Sequence, residues 1–206
     1  MKSLKSLIWV LILFFCLQAL SCAKGGTYSL SLRYQPTKEL TSLQQKIGST
    51  VGIAPIQDER TDRLYIGRYT PLRGVLTYFK SSPFPLEKAL ADSLSNVLSD
   101  RGVKIEPVSS WDGKPESLKN LGPDSVLMIE INQLWAEGRG RAFGTDLKVT
   151  VHFVMHLGVK KEAKVFTRNV EVEKEVTVSR LTPGRMEQTV NGILSDVFDN
   201  FFSNPY

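Results

Sequence analysis

Few side chains in this sequence have the types and spacing that chemistry needs. His152 and His156 stand four apart. On a helix that spacing would put both imidazoles on one face, as a metal pair requires. The residues around them alternate apolar and polar, so the pair falls on a strand, where four residues span about 13 Å. That is too far for one ion. Both are expected as surface or cross-strand residues, and no metal site is expected. Asp58-Glu59-Arg60-Thr61-Asp62 concentrates charge just beyond a strand end. Loops at strand ends often carry function, which makes Asp58, Arg60 and Asp62 a candidate ion or partner site. The favoured reading is structural: an aspartate caps the turn and Arg60 pairs with a carboxylate. The acidic residues are too few and wrongly spaced for an EF-hand-like calcium loop. Gly138-Arg139-Gly140-Arg141-Ala142-Phe143-Gly144 has the glycines of a phosphate loop. A strand follows it where a helix N-terminus would be needed, so a hairpin turn is expected.

No G-x-S-x-G elbow, H-E-x-x-H, P-loop or C-x-x-C is present, so neither catalysis nor a cofactor is expected. Between residues 63 and 84, Arg63, Arg68, Arg73 and Lys80 interleave with Tyr65, Tyr69, Tyr78, Phe79 and Phe84. Aromatic bodies with polar tips, mixed with arginine, are enriched at interfaces and near lipid headgroups. Arg63, Tyr65, Arg68, Tyr69, Arg73, Tyr78 and Lys80 are therefore the candidate partner surface. The alternative is that they fill the two faces of a hairpin.

The remaining chemistry is at Cys22. Lys2 and Lys5 precede an apolar run from Leu7 to Leu20 broken only by Gln18, as in a secretory signal. A bilayer span needs about 20 predominantly apolar residues, so a permanent transmembrane helix is the weaker reading. Ala19-Leu20-Ser21-Cys22 resembles a bacterial lipobox, although Ala19 stands where leucine is usual and Leu20 where a small residue is common. Ordinary signal peptidase is the rival, because Ala19 and Ser21 satisfy its small-x-small rule. Cleavage before Cys22 would remove Cys16, the only other cysteine, and leave a lone thiol in an oxidising compartment. Acylation would consume that thiol, and two or three chains anchor stably where one does not. Residues 1–21 are thus read as a signal peptide, 22–26 as an acylated cysteine with a short tether, and 27–206 as one domain. A non-Asp residue at Ala23 directs comparable enterobacterial lipoproteins to the outer membrane, so the periplasmic face of that membrane is the expected location.

The 206 residues carry a net charge of +5, which falls to +3 without Lys2 and Lys5. That is no nucleic-acid signature. About 185 residues after Ser21 suffice for one domain with a proper core. Tyr28, Leu30, Leu32 and Tyr34 alternate as a strand, and 51–56 reads as a buried strand ending at Asp58. Residues 64–68 and 75–80 read as a hairpin. Leu86, Leu90, Leu94, Val97 and Leu98 form a helical stripe between Pro85 and Gly102. Residues 103–107 make a strand, and 111–123, with two prolines and two glycines, a surface loop. Three long alternating stretches follow, at 125–135, 146–158 and 165–178. With Lys161 and Glu162 as the turn, Lys148 would face Glu175 and His152 would face Glu171 across the wet face. Thr182 and Pro183 open a last helix whose stripe runs Met186, Val190, Ile193, Leu194, Val197, Phe198 and Phe201.

This order predicts an α+β domain: a mixed or antiparallel sheet with two main helices packed on one face. Cys22-Ala23-Lys24, Asp58, Arg60 and Asp62 after a buried strand, Ile66-Gly67, Leu98 to Gly102 and Ile129 to Trp135 together resemble the YajG family of Gram-negative outer-membrane lipoproteins. The layout is also similar to auxiliary lipoproteins of some ABC-type lipid and toluene-tolerance transporters. The first resemblance implies an envelope location and an accessory role only, without an established catalytic activity. The membrane and an envelope protein are the expected partners, and with so mild a charge no nucleic acid is expected. The alternative is an auxiliary lipid- or ligand-binding component of such a transport system, using a cavity between sheet and helices.

Overall fold

The computed structural model describes residues 25–39 and 43–204. The expected signal peptide, Cys22 and most of its tether lie outside the described residues. Among the described residues nine strands form one mixed sheet: β1 (Thr27–Ser31), β2 (Thr50–Ile53), β3 (Gln57–Asp58), β4 (Gly67–Thr70), β5 (Thr77–Ser82), β6 (Lys104–Pro107), β7 (Ser125–Gly140), β8 (Thr145–Val159) and β9 (Lys164–Val178). Helices α2 (Leu86–Asp100) and α4 (Pro183–Ser203) are long; α1 (Leu43–Ile47) and α3 (Pro115–Leu118) are single turns. The fold is α+β.

β7 organises the sheet. Along one edge it pairs antiparallel with β8 through nearly its whole length. Along the other it is met in turn, parallel, by β2 at 125–127, β3 at 130–131 and β4 at 136–139. β6 extends the sheet beyond β2; β5 and then β1 extend it beyond β4. The expected strand over 51–56 is thus two short strands, because the chain leaves β7 after Ile53 and rejoins it at Gln57.

β8 shows why the alternating stretches fold as they do. Leu147, Val149, Val151, Phe153, Met155 and Leu157 all point to one face and are buried there. Leu127, Ile129 and Ile131 of β7 share that face, as do Val170, Val172 and Val176 of β9. The β8–β9 register is the expected one: Lys148 lies opposite Glu175 and His152 opposite Glu171. The contacts are diagonal, however. Lys148 pairs with Glu173 at 2.8 Å, and His152 hydrogen-bonds with Asn169 at 2.8 Å. Long side chains reach the next pair along the strand as easily as the facing residue. The turn is a 3-10 turn at Lys160–Glu162 that ends with Ala163 at φ 49°.

Helices α2 and α4 cover the inner face together. Leu86, Leu90, Leu94 and Leu98 of α2 enter the same core as Met186, Val190, Ile193, Phe198 and Phe201 of α4. Thr182 caps α4, its side chain accepting from the Arg185 amide at 3.2 Å. The chain turns out of α2 at Gly102, just past the helix end, where a φ of +77° suits a residue without a Cβ.

Only residues 27–31 of the expected first strand pair as a strand. Tyr28 is half exposed at its edge, whereas Leu30, Leu32 and Tyr34 are buried. From residue 31 the chain becomes a strap in the seam between the two helices. Its amides at Ser31, Arg33, Gln35 and Thr37 donate to Glu187, Asn191, Ser195 and Asp199 of α4. Two extended residues advance about 6.6 Å and four helical residues about 6 Å, so the two ladders stay in step. Tyr34 donates its backbone N–H to Ser93 of α2 at 2.6 Å and its hydroxyl to Asp199 at 2.7 Å.

The expected surface loop at 111–123 is instead a cover for the other face of the sheet. Trp111 and Leu118 are buried there with Ala54, Val126 and Met128. A Cβ on Gly158 would come within 2.8 Å of the Trp111 ring, so that ring lies directly on the β8 backbone.

Candidate interaction surface

Two of the sequence candidates are held inside the fold. Asp58 and Arg60 are 4% and 6% exposed and form a two-pronged ion pair, Nε to Oδ1 and Nη2 to Oδ2, both at 2.8 Å. Arg60 also donates to the backbone carbonyls of Tyr65 at 2.9 Å and Leu134 at 3.3 Å. The site explains the need. β7 bulges between Ile131 and Gln133, and the chain leaves its edge between β3 and β4. Arg60 fills that gap with hydrogen-bond donors. Asp62 accepts from the amides of Leu64 at 3.0 Å and Tyr65 at 3.3 Å, which shapes the turn. These contacts are those of a structural node.

The basic and aromatic residues divide between the two faces. Arg68 lies opposite Tyr78 on the outer face of the β4–β5 pair. Tyr65 stacks on Tyr78, with ring centroids 4.5 Å apart. Lys80 follows Tyr78 on the same face by alternation. Arg63 is exposed in the preceding loop, and Arg73 in the β4–β5 turn. Tyr69 is not part of this group. It points inward, packs against the main core and lies 3.0 Å from where a Gly138 Cβ would be.

The structure adds residues that the sequence did not single out. Glu137 accepts from Arg68 at 3.1 Å and from Arg139 at 3.0 Å. Partial burial by itself would raise the Glu137 pKa. The hydrogen bonds from Arg139 and Arg68, with their charges, outweigh it and hold the carboxyl below its usual range. The β4–β7 register, which places Arg68 beside Glu137, creates this cluster, and no local spacing announces it. The result is a polar, arginine-rich face carrying stacked tyrosines. It can engage a partner through hydrogen bonds and ring faces.

Nothing in this face holds a nucleophile with a base beside it. Among the described residues no group of three or more His, Cys, Asp or Glu could hold a metal ion. His156 hydrogen-bonds with Thr167 across β8 and β9 at 2.8 Å. The space between sheet and helices is filled by Phe153, Phe198, Phe201 and Phe202, which are fully buried. Two open grooves of about 420 and 510 Å³ flank the strap, one lined by Glu187 and Asn191 and the other by Asp92 and Asn96. Among the described residues no helix is long and apolar enough to cross a membrane.

No family model and no curated protein matches the sequence. The fold has solved counterparts. Protein XCC0632 from Xanthomonas campestris, of the family DUF330, superposes with a TM-score of 0.55 at 15% identity, over 85% of this chain and 91% of its own. Lipoprotein GNA1162 from Neisseria meningitidis gives 0.41 at 14% identity, over 73% of this chain and 99% of its own. The first likeness shows a shared fold; the second is too distant to argue from. YajG is not named by these likenesses.

Proposed function

We propose that this chain is a non-catalytic lipoprotein of the bacterial cell envelope. It is acylated at Cys22, held at the periplasmic face of the outer membrane, and presents its outer β4–β5 face to an envelope protein. This reading keeps the YajG-like resemblance of the sequence. The observation that carries it is the position of Cys22. The cysteine ends a signal-like segment, has no cysteine partner once Cys16 is removed, and stands four residues before Gly26. Gly26 is already fixed to the fold, its carbonyl accepting from the Tyr78 amide at 3.0 Å. A cysteine so close to a folded sheet has the role of an anchor, since the intervening chain is too short to be a flexible linker.

Fractionation of cells expressing the wild type and Cys22→Ser tests the anchor. The wild type is expected in the membrane fraction. Cys22→Ser is expected to accumulate uncleaved, or to be released into the periplasm if ordinary signal peptidase accepts it. Wild type recovered wholly as soluble periplasmic protein would overturn the reading. The partner surface is tested by cross-linking in intact cells. Arg68→Glu with Tyr78→Ala is expected to lose cross-links that Lys119→Glu, at the opposite pole of the molecule, retains. Unchanged cross-links in the double variant would remove the outer β4–β5 face as the contact.

A further inference from the structure

Two turns, the N-terminal segment and the end of β9 meet at one pole of the sheet. Thr70 pairs with Arg139, so the 71–76 turn and the 141–144 turn leave β4 and β7 side by side. A Cβ on Gly140 would lie 2.6 Å from the Leu72 amide, which shows how closely the two turns pack. The N-terminal segment arrives at the same place: a Cβ on Gly25 would meet Val75 at 2.4 Å. The end of β9 arrives there too, since Val178 pairs with Thr145.

This pole is apolar where a free surface should be polar. Phe143 is 95% exposed, Leu72 63% and Val75 54%. All three stand at turn tips, where no core demands them. Arg73, Arg141 and Arg180 are exposed around them. Asp146, the acid closest to Phe143 in sequence, is paired with Arg141. Apolar tips ringed by arginine match the layered chemistry of a bilayer surface, with acyl boundary within and anionic headgroups around.

We propose that this pole docks onto an anionic phospholipid surface, with Leu72, Val75 and Phe143 entering the headgroup–acyl boundary and Arg73 and Arg180 meeting lipid phosphates. The inference rests on the anchor proposed at Cys22 for its geometry. Gly25 is three residues after Cys22, a step that at full extension reaches at most about 10 Å. The pole that the tether holds within a Debye length of the headgroups is therefore the pole that carries the exposed apolar side chains. Docking would fix the orientation of the domain and turn the outer β4–β5 face sideways, along the membrane.

The test uses the full acylated chain in vesicles of phosphatidylethanolamine and phosphatidylglycerol with brominated acyl chains. A bimane label is placed at Ala142→Cys, beside Phe143, or at Lys119→Cys as the control at the opposite pole. Position 142 is expected to shift to the blue and be quenched, and position 119 to do neither. Arg73→Gln and Arg180→Gln are each expected to lower the ratio of docked to undocked protein roughly fivefold. Phe143→Ser is expected to abolish the blue shift. Equal behaviour at 142 and 119 would overturn the proposal. So would a blue shift at 142 that grows with protein concentration and ignores lipid composition, which would assign the pole to a second copy of the chain. Intact mass of the same sample separates this inference from the anchor. An acylated chain with water-exposed 142 sinks docking alone; an unmodified Cys22 with 142 quenched sinks the anchor alone.

Discussion

Arg60 makes Asp58 tolerable. A carboxylate 4% exposed is costly to bury, and the guanidinium bound to it at two points offsets that cost. Arg60→Ala is expected to destabilise the fold by about 3–5 kcal/mol, because it strands a buried charge. Replacing both residues with apolar ones of similar volume should recover much of that loss. Denaturant titration of the three proteins checks this, and a loss under about 1 kcal/mol for Arg60→Ala would refute the role assigned to the pair. Asp199 shows a different balance. Its burial would raise its pKa, but bonds from Thr37, Tyr34 and the amides of Thr37 and Lys38 outweigh that and hold the carboxyl below its usual range. A depressed folded-state pKa gives stability that is complete above about pH 4, the unfolded value, and lost as pH falls through the folded value. Asp199→Asn should therefore cost about 2–3 kcal/mol at neutral pH and show a flatter acid limb. A wild-type-like acid limb in the variant would contradict this.

At the scale of elements, what the sequence reveals depends on whether the signal is local. The alternation in β8 is legible because one face is uniformly apolar. Its register with β9 is legible because shifting by one residue would exchange the two faces. The stripe of α4 is equally plain, yet its polar ladder is not. Glu187, Asn191, Ser195 and Asp199 read as a wet face until the strap is known to lie along them. Tyr69 misleads for a related reason: over the four residues of β4, alternation separates two faces without saying which is inside. The 111–123 segment misleads through its prolines and glycines, which hide two buried anchors. Trp111→Ala is expected to cost about 3–5 kcal/mol and to speed amide exchange at Val126 and Met128. Exchange there unchanged from wild type would show that the segment is no part of the core.

On the scale of the whole molecule, the account concerns orientation. The long β7–β8–β9 meander runs from a lysine-bearing pole at 160–164 to the arginine- and phenylalanine-bearing pole at 141–144, and the N-terminus enters at the second. β9 pairs with β8 alone among the described residues, and its open edge runs past charged side chains such as Lys164, Glu171 and Lys174. Such charges oppose strand addition, which leaves the outer β4–β5 face as the better place for a partner. That arrangement has meaning only if the chain is anchored where Cys22 stands. Intact mass spectrometry of the protein extracted from native membranes tests this most directly. The account predicts a chain that begins at Cys22 and carries the added mass of its acyl chains. A chain that begins at Cys22 with an unmodified thiol would contradict it.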